Sequence, residues 1–239
     1  MADEEFSTPV VHSNAADPIV AVQVPATWGW PAGVVHLHIP AWVTGAAGTD
    51  GALVVVSDGI AFNFWQFRRL DVGSATTSAY AATFLSGSGF GRPSPVLGAG
   101  IRADGSSGLG GLITRGDLVG NEIPHALAVS LLGSELAGGF VAPAIAADSS
   151  GGGGGTIPLG SRLGIPRGTP VPAGLSSIGA KVWNTLVDYG AFVVDRHEGT
   201  APVIFEADPL SVSPTQVDPL RSGSPSDLDR IMPFVRVVQ

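Results

Sequence analysis

Short runs of Val, Ile, Phe and Thr, punctuated by Gly, Pro, Asp or Ser, follow one another along most of the chain. Runs of this kind, bounded by turn residues, are typical of the strands of a sandwich or barrel. The pattern predicts strands over residues 19–24, 34–39, 52–57, 60–69, 76–85, 123–132, 140–145, 191–195, 202–206 and 234–238. We therefore expect an all-β fold.

The run over residues 60–69 carries aromatic residues on both of its faces. Phe62 and Phe64 share one face of the predicted strand, and Trp65 and Phe67 share the other. Such a strand is predicted to lie inside a sheet that is covered on both sides. The Asp-Gly pair at 58–59 favours a hairpin between this strand and the one before it.

One long helix is predicted over residues 176–189. Apolar residues recur there at steps of three and four and form one stripe: Leu175, Ile178, Val182, Leu186 and Tyr189. Ser176 or Ser177 can cap the start of this helix. A second, short helix is predicted over residues 226–232, with Ser226 as its N-cap.

The two ends of the chain differ from its middle. Residues 1–17 are polar and unpatterned, which indicates a flexible N-terminal arm. Residues 18–210 hold most of the predicted strands and the long helix, so we expect one β-sandwich domain there. Residues 211–239 begin rich in Pro and Ser and end in the short helix and a strand, which indicates a C-terminal wrap.

Charge and composition exclude several classes of partner. Charged residues make up 13% of the chain, against roughly 25% in an average soluble domain, and the formal net charge is −8. No basic cluster offers a surface for nucleic acid. No apolar run approaches the roughly 20 residues of a membrane-spanning helix, so we expect no membrane insertion. The chain has no cysteine, and its first residues lack the features of a signal peptide.

The sequence carries no motif that would hold a cofactor. It lacks a Gly-X-Ser-X-Gly elbow, a Walker A loop and a His-Glu-X-X-His pair. His36 and His38 alternate on a predicted strand and share a face, but no third ligand for a metal is adjacent. We therefore expect no cofactor and no metal.

Several segments occur in the same order in a family of actinobacterial secreted proteins and (minor) tail proteins of their phages, most of which lack a settled function. They are Gly48-Thr49-Asp50, Phe62-Asn63-Phe64-Trp65 before Arg68-Arg69, Glu122-Ile123-Pro124-His125-Ala126-Leu127-Ala128, Pro158-Leu159-Gly160-Ser161-Arg162-Leu163, Tyr189-Gly190-Ala191-Phe192-Val193-Val194-Asp195 and Pro233-Phe234. The chain resembles this family over roughly residues 45–238.

The resemblance implies a jelly-roll type β-sandwich with one helix, about residues 176–189, packed against it. It also implies a virion-tail or cell-surface structural protein, at a virion or extracellular surface, whose sandwich recognises a surface glycan. Its other partners would be structural subunits or further copies of itself. One position departs from the family: Asn63 stands where relatives carry a strand glutamate, and an amide cannot act as an acid or base.

Three polar residues on the family motifs are candidates for chemistry. His125 follows Glu122 by three residues and could contact sugar or transfer protons, or it could pin the strand by bonding backbone groups. Arg162 and Asp195 could form a pair that holds a turn, or could orient a polysaccharide carboxylate.

Trp28, Trp30 and Trp42 cluster near the N-terminal strands, next to prolines. Exposed tryptophans on a rigid loop are platforms on which sugar rings stack. The same residues could instead close one end of the sandwich or lie in a subunit interface.

Three functions remain open at this point. The first is the glycan-recognising structural protein just described, which is not expected to be an enzyme. The second is a polysaccharide-cleaving enzyme, a lyase or glycoside hydrolase acting on cell-wall or capsular glycan, using His125 with Glu122 or Asp195. The third is a capsid or tail-tip subunit that binds no ligand.

Overall fold

The computed structural model describes residues 7–26, 32–90, 100–147, 153–199, 201 and 203–238. The chain divides into two compact units. The N-terminal unit is Asp3–Gly110, and the C-terminal unit is Gly111–Gln239 together with Met1–Ala2. Within the described ranges, no helix is both long enough and apolar enough to span a membrane.

The N-terminal unit consists of strands. In chain order they are β1 (Val10–His12), β2 (Ile19–Val24), β3 (Gly33–His38), β4 (Leu53–Ser57), β5 (Ile60–Trp65), β6 (Arg68–Arg69), β7 (Ser74–Thr76) and β8 (Ala79–Phe84). They form one four-stranded sheet in the order β1-β4-β5-β8 and a second in the order β3-β2-β7-β6.

The two sheets of the N-terminal unit share one apolar core. Val20 and Val22 of β2 are fully buried in the same cluster as Leu53, Phe64 and Tyr80 of the other sheet. The ring centroids of Phe64 and Tyr80 lie 5.4 Å apart. Alternate residues of both sheets therefore fill a single layer between them, which is the arrangement of a β-sandwich.

The aromatic strand lies where its pattern predicts. β5 is hydrogen-bonded to β4 on one side and to β8 on the other. The β4–β5 hairpin closes at Ser57–Ile60, with Asp58 and Gly59 both at positive φ, as its Asp-Gly turn requires. The strand ends at Trp65 rather than at residue 69, because Gln66 adopts a left-handed conformation with φ +57° and redirects the chain.

The predicted N-terminal arm contains a strand. β1 pairs in parallel with β4, and Val11 is 4% exposed. The described part of residues 1–17 is therefore attached to the sandwich through the edge of a sheet. The apolar segment is too short to be recognised as a strand from its own pattern. The strand that it pairs with lies more than forty residues away in the sequence, so the pairing is not visible there either.

The C-terminal unit mixes helices with strands. Its elements are α1 (Arg115–Val119), β9 (Leu127–Leu132), β10 (Leu136–Phe140), β11 (Ile157–Leu159), β12 (Arg162–Gly164), α2 (Ser177–Asp188), β13 (Ala191–His197), β14 (Val203–Phe205), α3 (Pro214–Val217), α4 (Asp227–Ile231) and β15 (Arg236–Val238). Its larger sheet has the order β14-β9-β13-β12-β15, with β9 and β13 parallel, and β10 pairs with β11.

The long helix is confirmed, and the middle of the predicted stripe is buried, whereas Tyr189 at its end is 39% exposed and Leu175 precedes the helix. α2 buries Ile178, Val182 and Leu186, and Trp183 packs edge-on against Phe234 with ring centroids 5.4 Å apart. The Leu186 carbonyl accepts a hydrogen bond from Ile165 N, just beyond β12. One helix packed against a β-rich unit is therefore found near residues 176–189.

The short helix and the last strand of the predicted wrap are confirmed as well. Ser226 caps α4 through the Asp229 N–H, and β15 pairs with β12 in the larger sheet. The strand predicted over residues 140–145 is wrong, since β10 ends at Phe140 and Pro143 lacks the N–H that a ladder requires.

The whole chain is mostly β, with several sheets and a sandwich in its N-terminal unit. The sequence predicted a single sandwich domain over residues 18–210. The structure divides the chain differently, into two compact units that meet in the sequence at Gly110–Gly111. The mixed sheet of the C-terminal unit includes a parallel pair, which short β-type runs alone do not distinguish from an antiparallel one.

Candidate functional site

A cleft of about 480 Å³ opens on the N-terminal unit beside the ends of β2, β5, β6 and β7. Eight residues line it: Gln23, Val24, Pro25, Gln66, Arg68, Thr76, Thr77 and Ser78. The lining contains amides, hydroxyls and one guanidinium, and none of the eight residues bears a carboxylate. The volume falls within the range of small-molecule sites in proteins, about 300–1,000 Å³.

Three of these residues form a row across adjacent strands. Gln23 of β2 is in register with Thr76 of β7, and Thr76 is in register with Arg68 of β6. Residues in register on neighbouring strands point to the same face of a sheet, about 4.8 Å apart. The alternate residues Val22 and Ala75 are fully buried in the core. The side chains of Gln23, Thr76 and Arg68 therefore project from the outer face, and Gln23 and Arg68 are exposed.

Gln66 forms part of the cleft wall and is held in an uncommon conformation. Its backbone N–H donates to the Asp50 carbonyl at 2.7 Å. Its side-chain amide donates to the Thr49 carbonyl at 3.2 Å and accepts from Ser78 Oγ at 2.6 Å. A left-handed conformation costs a non-glycine residue about 1–2 kcal/mol, so these three bonds retain a backbone shape that the local chain disfavours.

A second polar residue of the lining is fixed by backbone groups. Thr77 Oγ1 lies 2.7 Å from the Trp65 carbonyl and 2.8 Å from the Ala79 carbonyl. Together with Gln66 and Ser78, Thr77 gives the cleft a preformed polar wall. The cleft can bind and orient a polar ligand, and among the described residues that line it Arg68 is the charged one.

His125 lies in the C-terminal unit and contacts a carboxylate that sequence reasoning did not pair with it. His125 Nε2 is 3.3 Å from Asp117 Oδ2, and His125 Nδ1 is 3.0 Å from the Ala126 carbonyl. Asp117 also accepts from the N–H and Oγ1 of Thr114, both at 2.8 Å, as the capping box of α1. Glu122, which the sequence suggested as the partner of His125, is exposed, and the carboxylate that contacts His125 is that of Asp117.

Lys181 secures the same region from α2. Its ammonium donates to the carbonyls of Asp117, Leu118 and Gly120 at 2.9, 2.6 and 2.6 Å. These carbonyls belong to the C-terminal end of α1, where a cation is favoured by the helix dipole. His125 and Lys181 thus attach the two ends of α1 to β9 and α2. These contacts agree with a structural role for His125.

Arg162 and Asp195 occupy different positions on the larger sheet. Arg162 Nε donates to the Tyr189 carbonyl at 2.9 Å, across the turn that follows α2. Arg162 is in register with Phe192 of β13, whereas Asp195 lies three positions further along that strand, about 10 Å away. Asp195 Oδ1 accepts from Arg196 N at 2.8 Å. Arg162 therefore holds a turn.

The predicted aromatic platforms are described only in part. Trp42 is 67% exposed, and Trp28 and Trp30 lie outside the described residues. His36 and His38 share a face of β3, and His38 Nδ1 is 2.6 Å from the Asp17 carbonyl. The structure places no three metal-ligating side chains together anywhere in the ranges it describes.

Asn63, the strand residue at which the resemblance predicted a departure from the family, is fully buried and uses its whole amide. Its oxygen accepts from Ser107 Oγ at 3.0 Å and from Gly108 N at 2.8 Å. Its nitrogen donates to the Ala61 carbonyl at 2.9 Å and to Thr83 Oγ1 at 3.4 Å. The amide oxygen therefore fastens the loop at 107–108 to the sheet, and the amide nitrogen bonds to groups of the sheet itself.

The cleft residues themselves were not among the residues singled out from the sequence. Single polar residues on the solvent-facing side of a strand, such as Gln23 of β2 and Thr76 of β7, are ordinary, and only the register between the strands brings them into a row.

The chain gives no significant match to any protein-family model, any curated protein or any solved structure. The resemblance to the actinobacterial and phage-tail family therefore stays a prediction. Support for a function comes from the geometry of the cleft and of the contacts around His125.

Proposed function

We propose that this chain is a structural protein of a virion tail or cell surface whose N-terminal sandwich binds carbohydrate in the cleft beside β2, β5, β6 and β7. The observation that carries the proposal is the preformed polar wall of that cleft. Gln66, Thr77 and Ser78 are held by hydrogen bonds before any ligand arrives. Preorganised polar groups lose little freedom on binding, which favours a polar ligand such as a sugar.

The chemistry of the lining suits sugar hydroxyls. Each hydroxyl both donates and accepts a hydrogen bond, and amide and hydroxyl side chains offer both functions. Gln23 and Thr76 supply them on the open side of the cleft, and Val24 and Pro25 supply apolar contact. Adhesion of this kind requires no acid or base, and none of the eight described lining residues is a histidine or a carboxylic acid.

Aromatic residues near the cleft in the sequence extend the proposal. Trp28 and Trp30 follow Pro25 by three and five residues. Trp42 is exposed and can stack on the C–H face of a sugar ring. We propose that Trp42 offers such a platform on the N-terminal unit, and Trp28 and Trp30 stay candidates from the sequence that lie outside the described residues.

The resemblance supports the remaining parts of the proposal. They are the jelly-roll type of the sandwich, assembly with other structural subunits or as a homo-oligomer, and a place at a virion or extracellular surface. A glycan array and light scattering on the full chain test the two activities together. We expect binding to surface glycans and a multimer, with the binding lost in the double variant Gln23→Ala/Thr76→Val and kept in His36→Ala. Absence of any glycan binder would overturn the carbohydrate role, and a multimer without a binder would favour a ligand-free subunit.

The contact between His125 and Asp117 favours one alternative, a polysaccharide-cleaving enzyme. The imidazole is 35% exposed and lies 3.3 Å from a carboxylate, so it can both reach solvent and be oriented by a partner. Incubation with actinobacterial cell-wall glycans and uronate polymers, followed by assay for reducing ends or unsaturated products, tests this function. Product formation that His125→Ala abolishes in a folded protein would establish it, and absence of product would reject it.

A further inference from the structure

Arg68 and Arg69 are adjacent in the sequence and have different roles in the N-terminal unit. Arg69 donates to the carbonyls of Val43 and Pro40 at 2.8 and 2.9 Å. Burial lowers the pKa of its guanidinium below the ordinary value. Arg69 is therefore committed to the structure of the unit.

The guanidinium of Arg68 is exposed, and within the part of the chain that the structure describes it makes no hydrogen bond or ion pair with protein groups. Arg68 lies at one end of the row, Thr76 is next to it, and Gln23 follows on the far side of Thr76. None of the eight lining residues that the structure describes bears a carboxylate that could neutralise it. Arg68 is therefore a cation without a protein partner among the described residues at one end of the cleft, although the chain as a whole has a net charge of −8. Such a cation can attract and bind an anionic group of a ligand.

Asp71, the acidic residue closest to Arg68 in the sequence, does not neutralise the charge of Arg68. Asp71 Oδ2 accepts from Ser74 Oγ at 2.7 Å, and Asp71 Oδ1 accepts from Gly73 N at 2.8 Å. Hydrogen bonds from Ser74 and Gly73 hold the pKa of the Asp71 carboxyl below its ordinary value. Asp71 is thereby kept in the turn between β6 and β7.

The spacing of the row matches more than one sugar ring. Neighbouring strands are about 4.8 Å apart, so the row from Gln23 to Arg68 spans about 10 Å, the length of a disaccharide. A guanidinium presents parallel N–H groups that fit a carboxylate with two bonds, whereas an amide and a hydroxyl suit the hydroxyls of the adjacent ring. The order of the three side chains is fixed by the sheet.

We propose that the cleft selects an acidic saccharide, in which Arg68 binds the carboxylate of a uronic acid while Thr76 and Gln23 bind hydroxyls of that ring and the next. This inference rests on the proposed carbohydrate function and adds the class of sugar. Arg68 is a specificity-determining residue in this arrangement, and the remaining polar lining contributes binding common to acidic and neutral sugars.

Calorimetric titration of the full chain with oligogalacturonate, and with the same oligosaccharide after methyl esterification, tests the preference directly. The ester keeps the ring hydroxyls and removes the charge. We expect the acidic form to bind at least about tenfold more tightly, because charge-assisted bidentate bonds are roughly twice as strong as neutral ones. Arg68→Gln is expected to remove this preference, so that the acid and the ester bind to the variant with equal affinity.

Arg167→Gln is the matched control, since it removes the same charge from an exposed arginine of the C-terminal unit. Its preference for the acidic form should equal that of the unsubstituted chain. A sulfated oligosaccharide of the same length is titrated as well. If it binds as tightly as the uronate, and if both arginine variants weaken the binding of both ligands equally, the preference reflects general electrostatic attraction. That result would overturn the inference.

Two negative results have separate meanings. Equal binding of acid and ester, with no effect of Arg68→Gln, overturns the acidic specificity and leaves the carbohydrate function in place. Failure of both oligosaccharides and of a glycan array to bind overturns the carbohydrate function, and the acidic specificity with it. Arg68 is exposed, so its variant should fold, and circular dichroism that matches the unsubstituted chain verifies this.

Discussion

The carboxylate of Asp227 lies at the N-terminus of α2, in the space that the absent side chain of Gly179 leaves open. Asp227 Oδ1 accepts from Ser176 N at 3.0 Å, and Asp227 Oδ2 accepts from Ser176 Oγ. A Cβ at residue 179 would lie 2.4 Å from Asp227 Cγ. Asp227 is also the first residue of α4, so this contact fastens the C-terminal segment to the long helix.

Gly179→Ala should destabilise the C-terminal unit although alanine is the better helix former. Alanine favours a helix over glycine by about 1 kcal/mol, but the clash with a buried carboxylate should exceed this gain and leave a net loss of about 1–3 kcal/mol. Urea unfolding followed by circular dichroism measures the change. Gly116→Ala in α1 is the control, since its Cβ would meet Thr114 Oγ1 at an ordinary 3.5 Å. A Gly179→Ala protein as stable as the control would contradict the steric account.

Asn63→Asp should be strongly destabilising. The substitution keeps the acceptor for Gly108 N but removes both donors, and it places a charge at a position with 0% exposure. We expect a loss of about 2–4 kcal/mol at neutral pH. The same change at the exposed Asn184 of α2 should cost at most about 0.5 kcal/mol. Equal unfolding midpoints for the two variants would show that the amide of Asn63 is dispensable.

Lys181→Met should loosen the C-terminal end of α1. It removes three hydrogen bonds from an ammonium to helix carbonyls, and we expect a loss of about 1–3 kcal/mol. Arg167→Met removes a cation that is 80% exposed and paired with Asp188, so its expected cost is below about 1 kcal/mol. Denaturant unfolding compares the two, and hydrogen exchange of the α1 amides locates the effect. The account is wrong if α1 exchanges no faster in Lys181→Met.

The cap of α4 should depend on the ionisation of Asp229. Backbone and side-chain hydrogen bonds from Ser226 hold the pKa of the Asp229 carboxyl below its ordinary value of 3.8. The folded pKa is depressed, so its contribution to stability is present above the ordinary value and is lost as pH falls through the folded pKa. Ser226→Ala should raise the pKa of Asp229 toward the ordinary value. Carbon-detected NMR titration of the Asp229 carboxyl measures this. The backbone N–H of residue 226 remains in the variant, so only part of the shift should be lost, and an unchanged pKa would exclude the Ser226 hydroxyl as a cause.

Local patterns predicted those elements whose stabilising contacts lie within the element itself. The stripe of Ile178, Val182 and Leu186 identified α2, and Ser226 identified the start of α4, because side-chain spacing and capping act over a single turn of helix. The hairpin at 58–59 was equally local.

Features that depend on pairing between distant segments could not be predicted. β1 became visible only through its partner β4, and the row of Gln23, Thr76 and Arg68 exists because strands far apart in the sequence are in register. The left-handed Gln66 likewise depends on bonds to residues 49, 50 and 78. The contact between Asp117 and His125 also depends on the folded position of α1, which brings the carboxylate to the imidazole.

The central claim, that a saccharide binds in the cleft of the sandwich, is tested most directly by NMR titration of the isotope-labelled full chain with oligogalacturonate and its methyl ester. The account predicts saturable shifts at the amides of Gln23, Gln66, Arg68 and Thr76 with at least the acidic form, and unchanged amides in α2. Saturable shifts confined to residues around His125 and Asp117, or saturation by a saccharide that leaves the four cleft amides unmoved, would contradict it.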